Sequence, residues 1–166
     1  MDLHEQIKTE SIRRLRESQE RLVKCMHLLG EDLVWHRPNA NVVSAGNLVL
    51  HLCGNVGQWI NATLGKTTDD RDRDSEFIEP GPLPIRELEH RLQGAVDQAV
   101  LTIGSLTAEN LTASWAVQGF SETGTAILMH VVEHFSYHTG QVTLHTKLLL
   151  DIDTGYYAGQ DLSVKG

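Results

Sequence analysis

The chain of 166 residues contains only 2 cysteines, Cys25 and Cys53, and only 4 prolines. Two distant cysteines form neither a CxxC motif nor a disulfide framework, which excludes a small scaffold held together by disulfides. In a reducing compartment such cysteines are most often small buried hydrophobic residues. The scarcity of proline and a hydrophobic share of 40% argue against disorder and indicate an ordinary globular protein.

Positive charge and long apolar runs are also scarce. Fourteen Lys and Arg stand against 22 Asp and Glu, and a net charge of −8 would on average repel a nucleic-acid backbone. No apolar run is long enough to span a bilayer, and the first residues lack the basic start and apolar middle of a secretory signal. We therefore expect no nucleic-acid or membrane partner and a cytoplasmic location.

Apolar residues recur at three- and four-residue steps in four long segments, which predicts four helices. Ser44 is a plausible N-cap for the second helix, and Gly65 is placed to close it. Residues 66–84 are charged and then proline-rich, so we predict a loop long enough to cross a bundle end to end. The sequence predicts an all-α fold, a single domain over residues 1–166 built as a four-helix bundle with long crossover connections. The predicted helices cover residues 2–29, 45–65, 85–106 and 123–150.

The fourth predicted helix contains "HVVEHFSYHTGQ", with three histidines at four-residue steps. At about 100° per residue, His130, His134 and His138 lie near the middle of an apolar arc. Neighbouring members could bind one metal ion, but His130 and His138 are roughly 12 Å apart along the axis, so one adjacent pair must be chosen. Hydrogen-bonded core histidines are the alternative interpretation. The arc also holds Ile127, Val131, Phe135, Tyr137, Gln141, Val142, Leu144, His145, Leu148 and Leu149.

A third ligand for a metal is available on the second predicted helix. His51 shares its face with Asn47, Asn55 and Gln58, and three amides beside a histidine indicate the lining of a polar cavity. The alternative is that this face is partly exposed to solvent. Cys53 lies about 200° around the helix from His51, so the two are not expected to bind the same ion.

Two stretches, "WHRPNANVVSAGNLVLHL" and "HVVEHFSYHTGQ", resemble the DinB/YfiT-like superfamily of metal-binding four-helix bundle proteins. The resemblance extends over most of the chain, from the first helix through "HFSYHTGQV". It implies a divalent metal bound by His51, His134 and His138. It also places His130 and Gln141 beside the metal site.

The resemblance also carries expectations about function. Some relatives use low-molecular-weight thiols, and relatives are often homodimers. We therefore predict a divalent-metal-dependent enzyme, a thiol S-transferase or a hydrolase, that acts on a small molecule. Zinc or nickel is the favoured metal, with iron or manganese as alternatives. A metal-stabilised or ligand-sensing bundle without turnover, or an interaction protein without metal, would carry the same helices. Thr139 stands where many relatives have arginine, which removes any anion contact made by that arginine.

Overall fold

A computed structural model of the protein describes residues 2–165. Over these residues the fold is mostly helical, with one short antiparallel β-hairpin. No helix within them is both long and apolar enough to cross a bilayer. The elements are α1 (Leu3–Leu33), α2 (Ala45–Val56), a π-helical extension of α2 (Gly57–Leu64), α3 (Arg73–Ile78), α4 (Ile85–Ser105), α5 (Ala108–Thr112), β1 (Ser114–Val117), β2 (Phe120–Thr123) and α6 (Gly124–Leu150).

Local sequence signals fix the ends of the long helices. The predicted N-cap Ser44 is confirmed, because its hydroxyl accepts the Asn47 backbone N–H and the Asn47 side chain accepts the Ser44 N–H. Thr123 caps α6 through its hydroxyl, which accepts the Ala126 backbone N–H at 3.1 Å. Gly30 has φ 68° and interrupts the helical conformation of α1, although the last turn continues beyond it.

The core lies where α6 and α4 pack against α1 and α2. One side of the apolar arc of α6 is buried there, at Val131 and Phe135. Tyr137, Leu144 and Leu148, which the arc also includes, are exposed by 61%, 58% and 75%. The arc is therefore wider than the surface that α1 and α2 cover, and its other side faces outward.

The predicted loop over residues 66–84 contains helix α3, so that prediction is wrong for this part of it. Asp72 caps α3 by accepting the Ser75 N–H at 3.3 Å. The Asn47 side chain of α2 donates to the carbonyl oxygens of Glu76 and Glu79 at 3.0 and 2.9 Å. A six-residue helix is too short to show a period or to form alone, and these contacts with α2 stabilise it.

Candidate metal centre

Helices α2 and α6 bring three histidines into one cluster. His51 comes from α2, and His134 and His138 come from successive turns of α6. The ring centroid of His51 lies 5.0 Å from those of His134 and His138, which are themselves 4.5 Å apart. One nitrogen from each ring lies within 4.8 Å of the other two, and among residues 2–165 no fourth His, Cys, Asp or Glu joins this group. A divalent metal could bind there.

The orientation of the rings suits a shared cation. Nδ1 of His138 donates to Oε1 of Gln141 at 2.6 Å, which leaves Nε2 of His138 with a free lone pair. Nε2 of His51 and Nε2 of His134 lie 2.9 Å apart. Imidazole nitrogens at about 2.0–2.1 Å from a tetrahedral zinc ion would be about 3.3 Å apart. The two rings would therefore need to separate by only a few tenths of an ångström.

The cluster is buried at His51 and less completely buried on the α6 side. His51 is 5% exposed, whereas His134 and His138 are half-buried. Burial, together with the neighbouring His138 and His51, lowers the pKa of His134 to about 3. Burial also lowers the pKa of His138, despite the hydrogen bond to Gln141. Both imidazoles are therefore neutral at pH 7, which is the form that binds a metal.

Two residues in contact with His51, Glu76 and Arg71, were missed by the sequence prediction. Oε2 of Glu76 lies 2.8 Å from Nδ1 of His51, and Arg71 contacts both oxygens of Glu76, at 2.7 and 3.0 Å. Burial alone would raise the pKa of Glu76, but hydrogen bonds from His51 and Arg71 outweigh it and lower that pKa. The only signal in the sequence was Asp72 as a possible helix start within a charged segment.

Three of the predicted neighbours lie close to the cluster. His130 stacks on Trp59 with centroids 3.9 Å apart, and its ring lies 5.5 Å from that of His134. Gln141 accepts the hydrogen bond from Nδ1 of His138. Gln58 contacts the cluster only indirectly, because its Oε1 accepts a hydrogen bond from Nη1 of Arg71 at 3.0 Å.

The other two predicted amides make no hydrogen bond to a histidine of the cluster within the described residues. Asn47 occupies the N-terminal capping box of α2 and binds α3 through backbone carbonyls. Asn55 is 3% exposed, and among the described residues its Oδ1 has no hydrogen-bond partner. Neither cysteine belongs to the cluster: Cys25 is fully buried, as expected, and burial raises the pKa of Cys53 to about 12.

An apolar groove of about 440 Å³ adjoins the cluster. Gln141 lines this groove and also binds His138, so the two features share a residue. Apolar side chains from the segment before α2, from α2 itself and from the second half of α6 line most of it, namely Val42, Val43, Leu48, Leu144 and Leu148. His145 of α6 also lines this groove.

Comparison with known proteins places the chain in a family. A family model described as "Protein of unknown function (DUF1572)" matches residues 3–156. The chain belongs to this family. The family is DinB-like, so the resemblance found in the sequence is confirmed.

A solved structure supports the same assignment. The crystal structure of YjoA, a DinB-like protein from Bacillus subtilis, matches with a TM-score of 0.64 and 19% identity, covering 87% of this chain and 91% of that one. At this identity the likeness shows the fold, which is of the all-α DinB-like type. No curated protein matches the chain.

Proposed function

We propose that this protein is a divalent-metal-dependent enzyme that acts on a small molecule, with His51, His134 and His138 as the metal ligands. Thiol S-transfer is the first candidate reaction, and hydrolysis is the second. The observation that carries the proposal is a cluster of three histidines without a fourth His, Cys, Asp or Glu among residues 2–165. Catalytic metal sites typically use three protein ligands and keep one position open, whereas structural zinc sites are closed by four.

The residues present fit a metal of the zinc type. Imidazole nitrogen suits zinc, nickel and iron, and we favour zinc or nickel over iron or manganese. When bound, such a metal would stabilise a thiolate or lower the pKa of a water molecule to about 7. Gln141 orients His138, and His134, which is partly exposed, gives the site an edge open to solvent.

The surroundings support a small-molecule substrate. The neighbouring groove, at about 440 Å³, is within the usual size range of small-ligand sites and could receive an apolar part of the substrate. A low-molecular-weight thiol is the co-substrate we favour, because some DinB-like proteins use one. The net charge of −8 gives no support to a nucleic-acid partner.

We also propose the finer features that the resemblance implies. These are a four-helix bundle with long crossover connections, a homodimer and a cytoplasmic location without a membrane partner. The exposed side chain of Tyr137 on α6, which lies outside the groove, supplies apolar surface for a second copy of the chain. Light scattering coupled to size-exclusion chromatography would measure the mass, and a monomer at micromolar concentration would contradict the homodimer.

The test of the proposed activity uses zinc- or nickel-loaded protein prepared without a histidine tag. A low-molecular-weight thiol is offered with an electrophile, and ester and amide substrates are offered separately. We expect metal-dependent turnover in one of these panels and loss of at least 90% of it in His138→Ala. His27→Ala, which changes an exposed histidine outside both the cluster and the groove, is the control and should keep its activity.

The outcome separates the alternatives. Cobalt-substituted protein would show new absorption bands when a thiolate binds to the metal. This readout does not require the panel to contain the electrophile that the enzyme uses. Metal-loaded protein that binds no thiol and turns over no substrate in any panel contradicts the catalytic proposal. In that case a stoichiometric metal would favour the metal-stabilised or ligand-sensing alternative.

A further inference from the structure

We propose that Glu76 and Arg71 form a positioning pair that holds His51 in the tautomer able to bind a metal. The segment between α2 and α4 would then be part of the metal centre as well as a connection. The inference rests on the proposed metal site and adds to it two residues that do not touch the metal. It is carried by the hydrogen bonds of Glu76, by the burial of the pair and by the space that Gly54 leaves.

The contact between His51 and Glu76 determines which ring nitrogen carries the proton. An ionised carboxylate only accepts hydrogen bonds, so Nδ1 of His51 must be the donor to Oε2 of Glu76 at 2.8 Å. The other nitrogen, Nε2, is then unprotonated and faces His134 at 2.9 Å. Histidine ligands of metals commonly donate their second N–H to a carboxylate, which fixes the tautomer and the ring orientation.

Arg71 offers an alternative contact to the same nitrogen. Its Nη2 lies 3.3 Å from Nδ1 of His51, and a hydrogen bond there would require Nδ1 to be unprotonated. That state would place two lone pairs 2.8 Å apart between His51 and Glu76, so the shorter contact to the carboxylate prevails. Arg71 then acts on His51 through Glu76.

Arg71 holds Glu76 in place and balances its charge. Its Nε and Nη2 bind the two oxygens of Glu76, and its Nη1 is held by Gln58. The side chains of Arg71 and Glu76 are 5% and 7% exposed. Because an unpaired buried carboxylate is unfavourable, this bidentate ion pair is what allows Glu76 to remain ionised beside His51.

Gly54 provides the space for this arrangement. A Cβ atom at this position would overlap Oε1 of Glu76 and would lie 2.9 Å from Cδ of Glu76 and 3.0 Å from Nε of Arg71. Gly57, in the next turn, has no atom within 4 Å of the corresponding position. Gly54→Ala therefore displaces Glu76 without changing a titratable residue, and Gly57→Ala is its matched control.

The first test measures the tautomer of His51 in metal-free protein. Long-range ¹H–¹⁵N correlation spectra distinguish protonated from unprotonated ring nitrogens of an assigned histidine. We expect the wild type to show His51 protonated at Nδ1 and Glu76→Ala to show a mixture of both tautomers. Glu76→Gln should also give a mixture, because an amide can either accept from Nδ1 or donate to it. A purely structural role for Glu76 would leave the tautomer unchanged.

The second test measures zinc affinity by competition with a chromophoric chelator. Loss of a carboxylate that orients a ligand typically weakens metal binding by about 10- to 100-fold. We expect this loss in Glu76→Ala and in Arg71→Met, and a smaller loss in Gly54→Ala. Gly57→Ala should bind zinc like the wild type. Glu133→Gln removes a charge next to His134 in the sequence but no hydrogen bond to a ligand histidine, so it should also bind zinc with wild-type affinity.

The results separate this inference from the proposed function. If wild-type protein binds no zinc, the proposed metal site fails first. If the wild type binds zinc and Glu76→Ala keeps both the Nδ1 tautomer and wild-type affinity, only the positioning pair is overturned. Should Glu76→Ala fail to fold by circular dichroism, Glu76→Gln and Gly54→Ala decide: one tautomer and unchanged affinity in both would overturn the pair.

Discussion

Helix α6 carries two different histidine environments. Near its middle, His134 and His138 meet His51 of α2, with ring centroids at most 5.0 Å apart. Toward its end, His145 is 8% exposed, has the ring of His36 at 6.3 Å, and has no hydrogen-bond partner for Nε2 among the described residues. Burial lowers the pKa of histidines in both places.

Burial and a lowered pKa therefore do not identify a metal site by themselves. The first environment differs because three imidazoles converge and because Glu76 and Gln141 hold the Nδ1 atoms of two of them. At His145 neither a third ring nor such a partner is present in the described residues. His145 is thus an internal control for experiments on metal binding by the cluster.

Zinc-dependent stabilisation should separate the two environments most strongly. A ligand that binds only the folded chain stabilises it by about 4 kcal/mol when present at 1,000 times its Kd. Wild-type protein and His145→Ala should gain about this much, whereas His51→Ala should gain nothing. Urea unfolding with and without excess zinc measures the gain. An equal gain in all three proteins would remove the distinction between the environments.

Removing the support of one ligand should have a smaller effect. Gln141→Leu deprives Nδ1 of His138 of its acceptor, and we expect zinc affinity to fall about tenfold, or about 1.4 kcal/mol. Gln141→Glu keeps an acceptor at the same place and should bind zinc at least as tightly as the wild type. Chelator competition measures both. Wild-type affinity in Gln141→Leu would show that this bond does not orient His138.

The control histidine itself should be dispensable for stability. A buried polar atom without a partner costs about 1–3 kcal/mol, so His145→Leu is expected to stabilise the chain by about 1 kcal/mol. His138→Leu, in contrast, should abolish zinc-dependent stabilisation. Urea unfolding of metal-free protein gives the first value. Destabilisation by His145→Leu would mean that His145 makes a favourable interaction.

Acid should destabilise the metal-free protein through both environments. A histidine whose folded pKa is lowered binds fewer protons than it does in the unfolded chain, so stability falls as the pH decreases below its usual pKa of 6.5. For His134 this window extends to about pH 3. We expect His134→Gln to flatten the decline in stability more than His145→Gln does. Unfolding free energies measured from pH 7 to pH 4 test the order, and an equal effect would contradict it.

The long helices were predictable because their signals are local. Periodic apolar residues and the caps at Ser44 and Thr123 set α2 and α6 within a few residues of the predicted bounds. The exposure of Tyr137 and Leu144 was not predictable, because it depends on how much of α6 its neighbours cover. Helix α3 was missed because its stability comes from contacts with Asn47 in another segment.

The candidate site was only half predictable from spacing. Four-residue steps place His134 and His138 on one face, but they do not distinguish this pair from His130 and His134. The resemblance to the DinB-like family made that choice, and the cluster in the structure has the same members. Arg71 and Glu76 had no such guide, because nothing in a charged loop-like segment reveals which carboxylate reaches a histidine in another helix.

Metal content tests the central claim most directly. Protein purified without a histidine tag would be measured by elemental analysis, together with His51→Ala, His138→Ala and His145→Ala. We predict about one divalent metal per chain in the wild type and in His145→Ala, and almost none in the other two. Equal metal content in all four proteins would contradict the three-histidine centre.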